Sequence, residues 1–132
     1  MWQKMKRPSH RELLGKLRTA KETASEQRIR FVEPDSILSD MLELDFLVED
    51  LTESLSEILS EIQPGDYHGQ RPPAKSYERS ILDSELFAFR WSSKVFGCLM
   101  YLKFAIKGDY LWIVSLHEHR QPVKGGQNEL PK

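Results

Sequence analysis

The change of hydrophobic period after Pro64-Gly65 restricts the fold of this chain more than any other feature. In the long segment before it the large apolar residues recur at steps of three and four. Leu44, Leu47, Val48, Leu51, Leu55, Ile58, Leu59 and Ile62 form one stripe, separated by acids and serines. From Ser84 the step is two: Phe87, Phe89 and Trp91 share one side of "ELFAFRW", and Met100, Leu102, Phe104 and Ile106 alternate with Tyr101, Lys103, Ala105 and Lys107. A helical period buries one face of a helix, and a period of two buries one face of a strand. The order of helix, short strand, two helices and then at least three antiparallel strands specifies an α+β fold: a small antiparallel sheet with N-terminal helices packed on one face.

Local signals place the other elements. "SHRE" is a capping box that starts a helix at Ser9, with the Ser9 hydroxyl accepting from Glu12 and the Glu12 side chain reaching back. Leu13, Leu14, Leu17, Ala20 and Ala24 give that helix one apolar stripe. "RIRFVE", residues 28–33, reads as a short strand with Ile29 and Phe31 on one side and Arg28 and Arg30 on the other. Pro34 ends the strand and opens a helix, and Pro64-Gly65 closes the long helix spanning 44–62. Residues 66–80, "DYHGQRPPAKSYERS", read as an exposed loop of functional length. One domain over residues 1–123 and a disordered tail over 124–132 complete the reading.

The charge is partitioned along the chain. Residues 1–30 carry a net +6, residues 31–66 hold eleven acids and no Lys or Arg, and residues 67–132 carry +4. Folding can separate these into an acidic helical face and a basic face suited to a polyanion. The single cysteine, Cys98, excludes a disulfide framework and a cysteine-rich zinc site within the chain, and its apolar neighbours suit an inert thiol. "MWQKMKRPSH" has no apolar core for a signal peptide, and no run of about 18 residues is free of charge, so the expected location is cytoplasmic, with no membrane partner. No Gly-rich phosphate loop and no GxSxG elbow is present, which removes the corresponding nucleotide and hydrolase classes.

The hairpin around "KGDY" decides which polar residues meet. A two-residue Gly108-Asp109 loop pairs Lys107 with Tyr110, whereas a three-residue loop pairs Lys107 with Leu111. Burial favours the second, because Met100, Leu102, Phe104 and Ile106 then share a face with Trp112, Val114 and Leu116. Tyr101 lies opposite His117 and Lys103 opposite Ser115 in that register, with facing Cβ atoms about 5 Å apart. RNA cleavage by the 2′-hydroxyl needs a proton acceptor, a proton donor and a cation for the charge on phosphorus. His117 is the acid or base, Tyr101 donates or positions, and Lys103 or Arg120 neutralises charge; Arg90 and His68 are further candidates for phosphate binding. The same residue types are also ordinary on a solvated strand face. His117 and His119 point the same way without an obvious third ligand, so no metal and no cofactor is expected.

The succession of an N-terminal helix, "RIRF", "LELDF", "SEILSEIQPGDY", an aromatic strand, and "G-x-x-x-YLKF-x-I … IVS-x-HE … P" resembles the MqsR-type toxins, the motility quorum-sensing regulator family of bacterial toxin–antitoxin systems. It is closest to divergent members whose last strand reads Ser-Phe-His-Glu, and it spans residues 9–122. The resemblance implies a RelE-like fold, a metal-independent mRNA endoribonuclease and neutralisation by a cognate antitoxin. The family's active-site tyrosine falls on Tyr101, and its last-strand lysine falls on His117. A second family lysine falls near Gly69 and a glutamine near Phe87 or Ala88, where this chain carries neither. The alternative on the same fold is a catalytically inactive domain that binds a protein through the acidic helix or the 66–80 loop.

Overall fold

The structure is a computed structural model that describes residues 7–119, so Arg120 and the 124–132 tail lie outside it. Three helices, α1 (His10–Ser25), α2 (Pro34–Glu43) and α3 (Val48–Ser60), and four strands, β1 (Ile29–Phe31), β2 (Phe87–Ser93), β3 (Cys98–Lys107) and β4 (Tyr110–Glu118), make up an α+β fold. The strands form one sheet in the order β1-β4-β3-β2. The three C-terminal strands are antiparallel, and β1 joins β4 in parallel with Ile29 beside Leu111.

The first two helices stop for the same physical reason. Gln27, with φ 62°, and Asp45, with φ 56°, adopt the left-handed conformation just after α1 and α2. Behind each, the backbone closes the six-to-one and five-to-two bonds of a Schellman motif: Arg28 N–H to Thr23 O and Gln27 N–H to Ala24 O, then Phe46 N–H to Met41 O and Asp45 N–H to Leu42 O. This cap corrects the helix expected over 44–62. Leu44 caps α2, and α3 starts only at Val48, because the Asp45 turn satisfies the last carbonyls of α2.

Ser9 caps α1 as expected, accepting from the Glu12 N–H at 3.1 Å. The Glu12 carboxylate does not return to Ser9. It pairs with Arg7, whose guanidinium also grips Glu85 through two bonds of 2.7 and 2.9 Å. A charged fork outcompetes a neutral backbone N–H for a carboxylate, and here it ties the start of α1 to the segment that enters β2.

The core lies between the helices and one face of the sheet. Leu13, Leu17, Ile37, Met41, Leu51, Leu55, Ile58 and Leu59 meet Phe87, Phe89, Met100, Leu102, Phe104, Leu111, Ile113 and Leu116 there. Phe89 stacks on Phe104 with centroids 5.9 Å apart. The chain between α3 and β2 is more ordered than a loop. After a 3-10 turn at Pro64–Asp66, Tyr67 bridges to Phe89 at the free edge of β2. Residues 74–86 then double back as an arm, held by Leu86 N–H to Ala74 O, Ser76 N–H to Ser84 O and Asp83 N–H to Ser76 O. Pro73, Ser76 and Ile81 are buried.

The β3–β4 hairpin uses both candidate registers. At the turn the loop has two residues, Lys107 pairs with Tyr110, and Gly108 sits at the first loop position with φ 62°, where a type II′ turn requires glycine. Between Phe104↔Ile113 and Lys103↔Ser115 the register shifts by one, leaving Val114 as a β-bulge. The expected common face for Trp112, Val114 and Leu116 is therefore corrected: Leu111, Ile113 and Leu116 face the core, and Trp112 and Val114 are only half-buried. No uniform register buries Leu111, Ile113 and Leu116 together, and the bulge does so by reversing the face on which odd-numbered residues lie.

Glu61, just after α3, fastens the other hairpin. Its carboxylate accepts from Trp91 Nε1 at 2.9 Å, Ser93 Oγ at 2.7 Å and the Lys94 and Val95 backbone N–H groups at 2.8 and 3.0 Å. Burial raises the Glu61 pKa, and those four donors more than reverse it, holding the carboxyl below its ordinary 4.5. Glu61→Ala strands these donors and is expected to cost about 2–3 kcal/mol in urea unfolding. Because the folded pKa lies below the unfolded one, the ionised group stabilises above about pH 4.5 and its contribution fades as pH falls through the folded value. The stability gap between wild type and Glu61→Gln should therefore be full at pH 7 and close towards pH 3.

Candidate functional site

The face of the sheet turned away from the helices gathers the polar residues. Downstream of the bulge, Tyr101 pairs with His117 and Lys103 with Ser115; on the other side Arg90 pairs with Tyr101 and Ala88 with Lys103. Tyr101, half-buried, is the centre of an aromatic cluster. The His117 ring stacks on it with centroids 5.3 Å apart and planes inclined at 26°. His119 lies 6.3 Å away and His68 meets the tyrosine edge-on at 6.2 Å, while His68 and His119 are 5.5 Å from each other.

Each histidine is placed by backbone hydrogen bonds. The His119 N–H donates to Leu99 O at 2.8 Å, which extends the β3–β4 pairing past Glu118. The His68 N–H donates to Ala88 O at 2.8 Å, so the segment after Tyr67 docks on the edge of β2. Tyr67 anchors that segment: its hydroxyl donates to Gln70 O, its ring meets Phe89 edge-on at 5.6 Å, and the Arg71 guanidinium lies 5.0 Å from its centroid. Gly69 lies against this ring, where a Cβ would come within 2.7 Å of the tyrosine oxygen. A side chain at 69 and the present Tyr67 position are mutually exclusive.

His117 Nδ1 lies 2.9 Å from Glu118 O. A carbonyl can only accept, so this contact assigns the proton of the neutral ring to Nδ1 and leaves the Nε2 lone pair free as a base. Burial pushes the Tyr101 hydroxyl above its ordinary value, so it keeps its proton at neutral pH and acts as a donor. Burial, and then the charges of Arg90, His68 and His117, hold His119 below the usual histidine value.

A cleft of about 300 Å³ opens beside the cluster, bordered by His68, Gln70, Ala88, Tyr101 and Lys103. The small Ala88 leaves the space that a longer side chain on β2 would fill. A larger hollow, about 530 Å³, lies near Glu61 and Lys94, where the carboxylate is already engaged by four donors. Among the described residues no set of three or more His, Cys, Asp and Glu side chains is arranged to hold a metal ion. The Cys98 thiol, half-buried, is pushed up by burial and by Glu118 and keeps its proton.

Of the residues singled out from sequence, Tyr101, His117, Lys103, Arg90 and His68 fall together here. Arg120 lies outside the described residues. His119 is the addition: its shared direction with His117 was visible in the alternation, but only the folding of His68 onto Tyr101 makes the three histidines one group. Gly69→Ala is expected to displace Tyr67 and so move the His68 imidazole while leaving the sheet intact. Histidine side-chain NMR would register this as shifts at His68 and His119, with far-UV circular dichroism unchanged. No family model matches the chain, and a search of curated proteins returned no significant match.

Proposed function

We propose that this chain is the toxin of a bacterial toxin–antitoxin pair of the MqsR type, a cytoplasmic endoribonuclease that cleaves mRNA. One observation carries the reading: Tyr101 stacked on His117, flanked by His68, His119 and Arg90 at the mouth of a cleft that also holds Lys103. The resemblance in "QPGDY", "YLKF" and "VSLHE" supports it by marking Tyr101 and His117 together.

The chemistry follows from the groups. His117 Nε2 takes the proton of a ribose 2′-hydroxyl, the freed oxygen attacks the adjacent phosphorus, and the bond from phosphorus to the 5′-oxygen breaks. Tyr101 supplies the proton that the departing oxygen needs, leaving a 2′,3′-cyclic phosphate on one fragment and a 5′-hydroxyl on the other. Arg90 and Lys103 offset the negative charge that builds on the phosphoryl oxygens. Side chains thus meet every requirement of the reaction, with no metal or cofactor assigned a step. The assigned partners are mRNA and a cognate antitoxin; among the described residues no helix is long and apolar enough to cross a membrane.

A second reading, a non-catalytic protein-binding domain, is favoured by Leu38, Leu42 and Leu47 on the acidic helical side, which stay 46%, 59% and 59% exposed. Cleavage separates the two. Induction in bacteria should arrest growth, and purified protein should cut single-stranded RNA. His117→Ala and Tyr101→Phe should each lower the cleavage rate by about 10²–10⁴-fold at unchanged melting temperature. No cleavage by the wild type would sink the toxin reading in favour of the binding domain, and cleavage indifferent to both changes would overturn Tyr101 and His117 as the catalytic pair.

A further inference from the structure

The arm formed by residues 74–86 reaches across the polar face of the sheet. Lys107 Nζ donates to Ser80 O at 3.3 Å, which fixes the arm over the far end of β3. Ala88 and Ala105, both on this face, are buried together with Ile81 of the arm, and none of the three belongs to the main core. Small residues under the arm let it lie close to the sheet.

Between the arm and β4 runs a second hollow of about 320 Å³, bordered by Lys75, Ser76, Tyr77, Glu78, Lys103 and Val114. It shares Gln70, Ala74, Leu86 and Lys103 with the cleft beside Tyr101, so the two form one groove leading away from the histidine cluster. The bulged Val114 also lines it. Tyr77, an aromatic residue with 95% of its surface exposed, borders it.

Tyr77 is presented by a rigid base. Its neighbour Ser76 is buried and uses its N–H on Ser84 O, its carbonyl on the Asp83 N–H and its hydroxyl on the Glu78 N–H. A tyrosine that packs against nothing, at the tip of a segment this firmly tied, has both faces of its ring free. Lys75 and Lys103 put two cations along the groove against the single carboxylate of Glu78.

We infer that this groove is a subsite for single-stranded RNA: Tyr77 stacks on a base flanking the cleaved phosphodiester, and Lys75 holds the intervening backbone. The inference rests on the endoribonuclease reading for the identity of its ligand. Base stacking on an aromatic ring tolerates any base, and cations along a groove follow the phosphates. The arm is then the element that sets how much RNA the enzyme grips beyond the scissile bond.

The test uses the full-length chain carrying His117→Ala, so that RNA stays intact, and a fluorescently labelled single-stranded RNA oligonucleotide of about ten nucleotides, within the usual site sizes for single-strand binders. Adding Tyr77→Ala should weaken binding roughly tenfold or more, whereas adding Tyr77→Phe should leave it unchanged because stacking uses the ring and not the hydroxyl. Lys75→Ala should weaken binding and flatten its salt dependence. Binding by Tyr77→Ala within twofold of the parent overturns the subsite even if the wild type cleaves RNA. Weakened binding by Tyr77→Ala with no cleavage by the wild type supports the subsite and overturns the catalytic reading alone, and a wild type that neither binds nor cleaves RNA overturns both.

Discussion

The single extra residue in β4 governs the rest of the polar face. Side chains alternate strictly along a strand, so the hairpin must choose which residues face the helices at the turn and again at the far end. Near the turn the buried positions are Leu111 and Ile113; at the far end the buried position is Leu116. Val114 absorbs the conflict as a bulge. The same shift swings Ser115 and His117 onto the side of Tyr101 and Lys103. Satisfying the core therefore builds the cluster, and no separate interaction is needed to aim His117 at Tyr101.

Two clamps hold the elements that flank this arrangement. Glu61 joins the end of α3 to the turn between β2 and β3, accepting from two side chains and two backbone N–H groups. Arg7 joins the start of α1 to Glu85, where the arm runs into β2. Each couples a helix terminus to one end of the strand that carries Arg90 and Ala88. The short segment around Gly69 completes the support, because contact between its backbone and the Tyr67 ring seats His68. The site is thereby built on sheet and edge pairing, which position groups more closely than a free loop does.

Charge follows the same division. The acids of residues 31–66 lie on α2, α3 and the segments beside them, while Arg90, Lys103, Lys75 and three histidines look out from the other side of the sheet or its edge. The sheet stands between these two sets, while the basic residues of α1 stay on the helical side. Burial, and then the charges of Arg90, His68 and His117, hold His119 below the usual histidine value.

Much of this was legible before the structure. The change of hydrophobic period gave the order of helices and strands, Ser9 and Pro34 marked helix starts, and the facing of Tyr101 and His117 followed from burial. What misled was local: Asp45 looked like one more acid on a long helix, since nothing in its residue type announces a left-handed turn. The 66–80 stretch looked like a free loop because its pairing is with the distant edge of β2.

What the sequence by itself determined is the α+β layout and the two sides of β2 and β3, because both depend on periodicity, which is local. Only the tertiary structure decided that two registers coexist in one hairpin, that His68 and His119 join Tyr101, and that the arm and β4 enclose a groove. Those outcomes depend on contacts between residues far apart in the chain, and no local pattern encodes which of several compatible pairings buries the most apolar surface.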